Sequence, residues 1–281
     1  MKVLITGANG QLGREITSQY SNMGNVELIL TDYQELDITN LAKVNDFISE
    51  KKPDVIINCA AHTQVDKCEE DVDNAYKINA IGPKNLAQAA FKIGAEIVQI
   101  STDYVFDGEG DVPINEFCQP DPQTVYGKTK LDGEDFVKTL NPKHYIFRTA
   151  WLYGDGNNFV KTMINLSKTQ RSIKVVNDQL GSPTSTVDLA KVIISNVEAK
   201  NYGIFHCTCK GQCSWYDFTK KIFEIKNIKT EVLSCSTEEF PRPAKRPHYS
   251  VLRNYMLELT TGDSTRTWEE AIEDYLIKTE L

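Results

Sequence analysis

Tyr126 and Lys130 stand four residues apart in the stretch Val125 to Glu134, VYGKTKLDGE, which opens a helical pattern with apolar positions at Leu131, Phe136, Val137 and Leu140. On a helix that spacing puts both side chains on one face, one turn from each other. A tyrosine hydroxyl, with an ordinary pKa of about 10, does little acid–base work at neutral pH, but an ammonium beside it favours the phenolate and draws that value down. Such a pair can hand a proton to a carbonyl oxygen. Thr102, just past the apolar run Ile97 to Ile100, offers a hydroxyl to the same oxygen. Tyrosine and lysine at this spacing are also ordinary on a helix surface, so the pair takes its meaning from its surroundings.

Those surroundings begin at Lys2 to Glu15, KVLITGANGQLGRE. Val3, Leu4 and Ile5 read as a strand buried on both faces. Gly7, Gly10 and Gly13 then allow a sharp turn, a close approach of backbone to a diphosphate, and tight packing of the helix that runs from Gln11 to about Met23. Its N-terminus, through Gln11, Leu12 and Gly13, presents N–H groups to phosphate. The next apolar run, Leu28 to Leu30, ends in Thr31-Asp32, nineteen residues after Gly13, where a carboxylate would accept hydrogen bonds from the adenine-ribose hydroxyls of NAD. With a nicotinamide cofactor in place the roles follow. Tyr126 gives its proton as hydride reaches the carbonyl carbon, and Lys130 holds the nicotinamide ribose.

The elements needed to position these groups follow in order. Leu41 to Ile48 has a helical period, halted by Pro53. Asp54 to Asn58 is a third buried strand, leading into the small residues Cys59 to Thr63. Asp73 to Ile93 reads as a long helix broken near Gly82-Pro83, with Asn79 as a buried kinking residue, and Gly110 to Gln123 as an exposed loop. Tyr145 to Thr149 is the next strand. Beyond it, Asn158 to Leu166 is helical, Ile173 to Val176 a strand and Val187 to Val197 an amphipathic helix. Phe205 to Cys207 is placed as a strand in a second lobe, with helices at Trp215 to Ile225 and Thr267 to Ile277. The fold class is α/β: a doubly wound parallel sheet (Rossmann) over residues 1–150 and a smaller C-terminal substrate-binding lobe over 151–281, with about 173–198 returning to the first domain.

The formal charge of −8 and the absence of a long basic run argue against a nucleic-acid surface. A core strand directly after Met1 leaves no room for a signal peptide, and no apolar run approaches the ~20 residues of a membrane span, so a cytoplasmic protein that does not bind membrane is expected. Seven cysteines without a usual zinc spacing read as reduced thiols.

The segments TGANGQLG (Thr6 to Gly13), PDVIINCAAHTQVDKCE (Pro53 to Glu69), STDYVFDG (Ser101 to Gly108), VYGKTKLDGE, FRTAWLYG (Phe147 to Gly154) and VNDQLGSPT (Val176 to Thr184) together resemble the extended short-chain dehydrogenase/reductase superfamily, and within it the dTDP-4-dehydrorhamnose reductase family. The resemblance implies NAD(P)H-dependent reduction of the C4 keto group of dTDP-4-dehydro-L-rhamnose, in polysaccharide biosynthesis, with Thr102, Tyr126 and Lys130 as the catalytic set. It places cofactor at Gly10 to Leu12, Asp32, Asp37-Ile38, Ala61-His62-Thr63 and Ile100, and the nucleotide-diphosphate sugar at Thr102, Asp103 and Trp151. Sugar-nucleotide dehydratases carry Asp-Glu after the threonine, whereas here Tyr104 follows Asp103, which leaves reduction. Arg242 to Ser250, with Arg242, Lys245 and Arg246, is expected over the diphosphate, and Asn158 with Phe159 at a helix start beyond the sugar as further substrate contacts. NADH is favoured over NADPH by Asp32. Some relatives dimerise through magnesium held by glutamates; Glu15 fits one such position and no other is matched, so a homodimer stays open and no metal is claimed. The rival reading is a non-catalytic NADP-binding regulatory subunit of the methionine adenosyltransferase type, which shares this fold and pattern.

Overall fold

Val3, Leu4 and Ile5 are fully buried in β1 (Lys2–Thr6), the second strand of a six-stranded sheet in a computed structural model that describes residues 1–279. After the glycine turn come α1 (Gln11–Ser21), β2 (Glu27–Thr31), α2 (Leu41–Lys51) and β3 (Val55–Asn58). The Asn40 side chain starts α2 by accepting the Lys43 N–H, one of the donors a helix leaves unpaired. Two short helices, α3 (Val65–Glu70) and α4 (Val72–Tyr76), run through a π-helical turn at Lys77–Ile81 into α5 (Gly82–Ile93), so the chain is helical across the break expected at Gly82-Pro83. Then follow β4 (Glu96–Thr102), α6 (Val125–Leu140) and β5 (His144–Thr149).

The remaining elements are β6 (Leu152–Tyr153), α7 (Phe159–Ser167), β7 (Ser172–Val176), β8 (Leu180–Gly181), β9 (Thr184–Ser185), α8 (Thr186–Ala199), β10 (Gly203–His206), β11 (Cys213–Ser214), α9 (Trp215–Ile225), β12 (Glu231–Cys235), α10 (Tyr255–Leu259) and α11 (Trp268–Lys278). The sheet order is β2-β1-β3-β4-β5-β10, with every pair parallel. Strand order reverses between β1 and β3, and that is where an open parallel sheet leaves a crevice.

Phe205 departs from the sequence expectation. Rather than lying in the second lobe, it sits in β10 at the edge of the main sheet, opposite Phe147 and stacked on it at 5.4 Å. A fully buried ring needs such a partner, and the strand that supplies it is far away in sequence. Of the stretch 173–198, α8 buries Leu189, Ile193 and Val197 with Val3, Ile5 and Ile16 against α1, whereas β7 pairs with β12. A second core forms around Tyr153, Val160, Phe218, Ile222, Trp268 and Ile272. The loop Gly110 to Gln123 is largely exposed, as expected, and is tied down: Ile114 donates to Val251 O, and the Glu116 carboxylate accepts the N–H groups of His206 and Met256. Cys68, Cys207, Cys209, Cys213 and Cys235 are buried free thiols, used as small hydrophobes.

Candidate active site

Gly7 has a φ of +63°, and a Cβ there would sit 2.7 Å from Ala60 N; one on Gly13 would lie 2.4 Å from Gly7 O. The turn therefore packs against the end of β3 as only glycine allows. Gly10 gives α1 no side-chain cap, so the first N–H groups of the helix remain available to an anion. This cradle forms one wall of a cavity of about 1150 Å³ that opens at the carboxyl ends of the strands and continues to Trp215.

The same cavity is lined by Thr102, Tyr126 and Lys130. Thr124 caps α6 by accepting the Gly127 N–H at 3.0 Å, and Gly127 lies so close to Tyr104 O that a Cβ would overlap it. The helix start is thereby held to the turn that follows β4, and the Tyr104 ring meets Tyr126 edge-on at 5.5 Å. Thr102 Oγ1 donates to Asp103 Oδ1 at 2.8 Å. Lys130 Nζ donates to Ile100 O at 2.5 Å.

Burial sets the protonation of the cluster. It drives the Tyr126 phenol well above its ordinary value, with the adjacent Thr102 hydroxyl pulling the other way. This corrects the expectation that Lys130 lowers Tyr126: the ammonium directs one donor to a backbone carbonyl, and desolvation dominates at the phenol. Burial also lowers Lys130 to about 8, opposed by Glu134, and raises Asp103 to about 6. Glu134 in turn takes a two-point pair from Arg148 on β5, Nε to Oε1 at 3.0 Å and Nη2 to Oε2 at 2.6 Å, with both side chains almost wholly buried.

Of the residues expected at the cofactor, Gly10, Gln11, Leu12, Gly13, Ala61, Thr63 and Ile100 line the cavity, whereas Gly7, Asp32, Asp37, Ile38 and His62 stand behind or beyond its wall. Asp32 lies at the end of β2 and accepts the N–H groups of Tyr33 at 2.8 Å and Asn9 at 3.3 Å. Asp37 accepts the Thr39 N–H and hydroxyl, and Ile38 packs over Gly82. His62 is clamped by Asn79, whose Oδ1 accepts the His62 N–H at 2.8 Å while Nδ2 donates to His62 O at 3.1 Å and to Thr129 Oγ1. Asn79 thus ties the loop after β3 to α6, a role that its reading as a helix kink missed. The signal was a buried amide inside a helix, which must find partners.

On the far side, Trp151 has a φ of +48° and lies flat on Trp215, with centroids 3.5 Å apart. Asn158 caps α7, and its amide donates to Gly154 O at 2.7 Å and to Gln11 Oε1 at 3.2 Å. Arg246 donates from Nη2 to Asp66 Oδ2 at 2.7 Å. Arg242 and Arg246 line the cavity, but Lys245, expected with them, pairs with Glu109 instead and is not part of the wall. Arg253 pairs with Glu258 and covers Tyr255, outside the cavity. Trp215, Gln179 and Asp66 are lining residues that the sequence reading did not single out. Among the described residues no group of three or more His, Cys, Asp or Glu is arranged to hold a metal, and no helix is long and apolar enough to cross a membrane.

The chain matches the RmlD substrate binding domain family over residues 1–280. It is 42% identical to the Bacillus subtilis spore coat polysaccharide biosynthesis protein SpsK over 98% of this chain and 96% of that one. A dTDP-4-dehydrorhamnose reductase structure from Clostridium acetobutylicum superposes with a TM-score of 0.98 at 70% identity, covering 99% of both chains. Another, from Bacillus anthracis in complex with NADP, gives 0.97 at 46%, again over 99% of both. Nothing in these comparisons supports the regulatory-subunit alternative.

Proposed function

We propose, from the premise that this chain belongs to the dTDP-4-dehydrorhamnose reductase family, that it reduces the C4 carbonyl of dTDP-4-dehydro-L-rhamnose to the alcohol of dTDP-L-rhamnose with a nicotinamide cofactor. It is an oxidoreductase on a doubly wound dinucleotide-binding fold. The observation that carries the reading is one cavity lined both by the glycine turn and by Thr102, Tyr126 and Lys130.

The cradle fits the cofactor's diphosphate, because Gly7 and Gly13 let the turn pack where a Cβ would strike backbone, and α1 begins uncapped with its first N–H groups available. When bound, a reduced nicotinamide supplies hydride to the carbonyl carbon. Tyr126 supplies the proton: burial keeps its phenol protonated at neutral pH, as a general acid requires. Thr102 Oγ1 helps to orient the substrate oxygen, and Lys130, fixed by Ile100 O, presents its remaining N–H donors to the nicotinamide ribose. Asp32 faces the adenine ribose and favours NADH, since a carboxylate repels a 2′-phosphate. Arg246 binds the substrate diphosphate at a distance from the reacting carbon, which makes remote binding energy available for orientation. Trp151 contacts the sugar.

The test is oxidation of NADH or NADPH against a small panel of 4-keto sugar nucleotides. Turnover with the dTDP-linked keto sugar is expected. A purified protein that binds the cofactor yet turns over none of them would replace this reading with that of a binding subunit.

A further inference from the structure

Asp66, on α3, reaches the segment 242–250 at two points. Its Oδ1 accepts the Ala244 N–H at 3.2 Å and its Oδ2 accepts Arg246 Nη2 at 2.7 Å. The side chains of Asp66 and Arg246 are only 30% and 21% exposed, so the pair is partly withdrawn from water. Downstream, the segment is held by Tyr249 N to Gly108 O at 2.9 Å, Leu180 N to His248 O at 2.8 Å and Ser250 N to Leu180 O at 2.8 Å, with side-chain bonds between His248 and Asp178 O and from the Tyr249 hydroxyl to Gln212. Upstream of Ala244 the prolines 241 and 243 supply no N–H. Asp66 thus holds the segment from the cavity side, while Lys245 pairs with Glu109 outside the wall. Asp66, Tyr104, Tyr126 and Arg246 all line that cavity, and Arg246 Nη1 is buried there without a partner.

We propose that Asp66 is a positioning residue for the substrate's diphosphate: it aims the Arg246 guanidinium and fixes the backbone that carries it. The inference rests on the reading of Arg246 given above. A carboxylate beside an anion site has a competing effect, repulsion, which would act with the opposite sign. The Asp66 charge is matched by the guanidinium at 2.7 Å, so loss of aim outweighs relief of repulsion.

The experiment is steady-state kinetics of the full chain with dTDP-4-dehydro-L-rhamnose. Asp66→Ala should raise KM for the sugar nucleotide by roughly tenfold to a hundredfold, the scale of a lost charge-assisted hydrogen bond, with kcat and the KM for cofactor unchanged. Asp66→Asn, which keeps an acceptor for Ala244, should raise it less and serves if the alanine variant does not fold. Arg246→Ala should raise KM on its own, and adding Asp66→Ala to it should raise it no further. If Arg246→Ala raises KM but both Asp66 variants leave it unchanged or lower it, the positioning role is overturned. An additive effect in the double variant also overturns it. If Arg246→Ala leaves KM unchanged, the diphosphate assignment itself fails and the proposal falls with it.

Discussion

Lys130 Nζ donates to the carbonyl of Ile100, and the phenol of Tyr126, one helical turn away, is left protonated by its own burial. The two residues divide the work: one is fastened to the strand that ends at Thr102, and the other keeps a proton to give. Tyr126→Phe should therefore retain cofactor affinity while kcat falls by roughly 10²- to 10⁴-fold, the usual worth of a general acid. Lys130→Ala should impair both. Cofactor titration and single-turnover kinetics on the two variants separate these outcomes, and near wild-type turnover by the Phe variant would move the acid role elsewhere.

The proposed preference for NADH rests on Asp32, whose backbone partners, Asn9 and Tyr33, hold its carboxylate at the end of β2. The ratio of kcat/KM for NADH over NADPH should be at least one, and Asp32→Ser should shift it toward NADPH. A strong NADPH preference in the parent protein would show that this carboxylate does not face the ribose.

What the sequence made legible was what short range determines. Buried runs such as Val3 to Ile5 and Val55 to Asn58 announce parallel strands, and glycines at 7, 10 and 13 announce a turn whose geometry admits no side chain. What it hid was the choice among distant partners. Phe205 needed an apolar neighbour and found it on β5, not in the second lobe. Lys130 needed an acceptor and took a carbonyl instead of the phenol beside it, and Lys245 found Glu109, 136 residues away. No local pattern encodes these, because an amide, an ammonium or a ring is satisfied equally well by many partners.

The Glu134–Arg148 pair joins α6 to β5 with almost no exposure. Removing one member leaves the other charged and unpaired, so Arg148→Met should lower the free energy of unfolding by about 3–5 kcal/mol. Replacing both by apolar residues should recover much of that. Urea unfolding of the single and double variants measures the difference, and a loss below about 1 kcal/mol in the single would mean that water reaches the site.

His206 gives a pH signature. Burial first and Arg148 second hold its imidazole down to about 3, against 6.5 in the unfolded chain. Between those values the unfolded state binds the extra proton, so this residue's contribution to stability is complete above about pH 6.5 and is lost as pH falls toward 3. Asp103, raised to about 6, acts with the opposite sign over part of the range but is common to both proteins compared. His206→Gln, which can still donate to Ile114 O, should flatten the fall in unfolding free energy below pH 6.5. Equal slopes for parent and variant would remove His206 as a cause.

The route of the chain has a consequence for descent. After β5 it departs to build β6, α7 and β7, comes back to lay α8 on α1 and to add β10 beside β5, then departs again for α9 and β12. A single break anywhere between residues 150 and 206 strands Phe147 from Phe205, or Leu189 and Val197 from Ile16. The part of the molecule built from β6, α7, β7, α9 and β12 therefore cannot be exchanged between genes by one crossover in that span. Specificity in this lineage is expected to change through point substitutions at the cavity wall, with both cores inherited together.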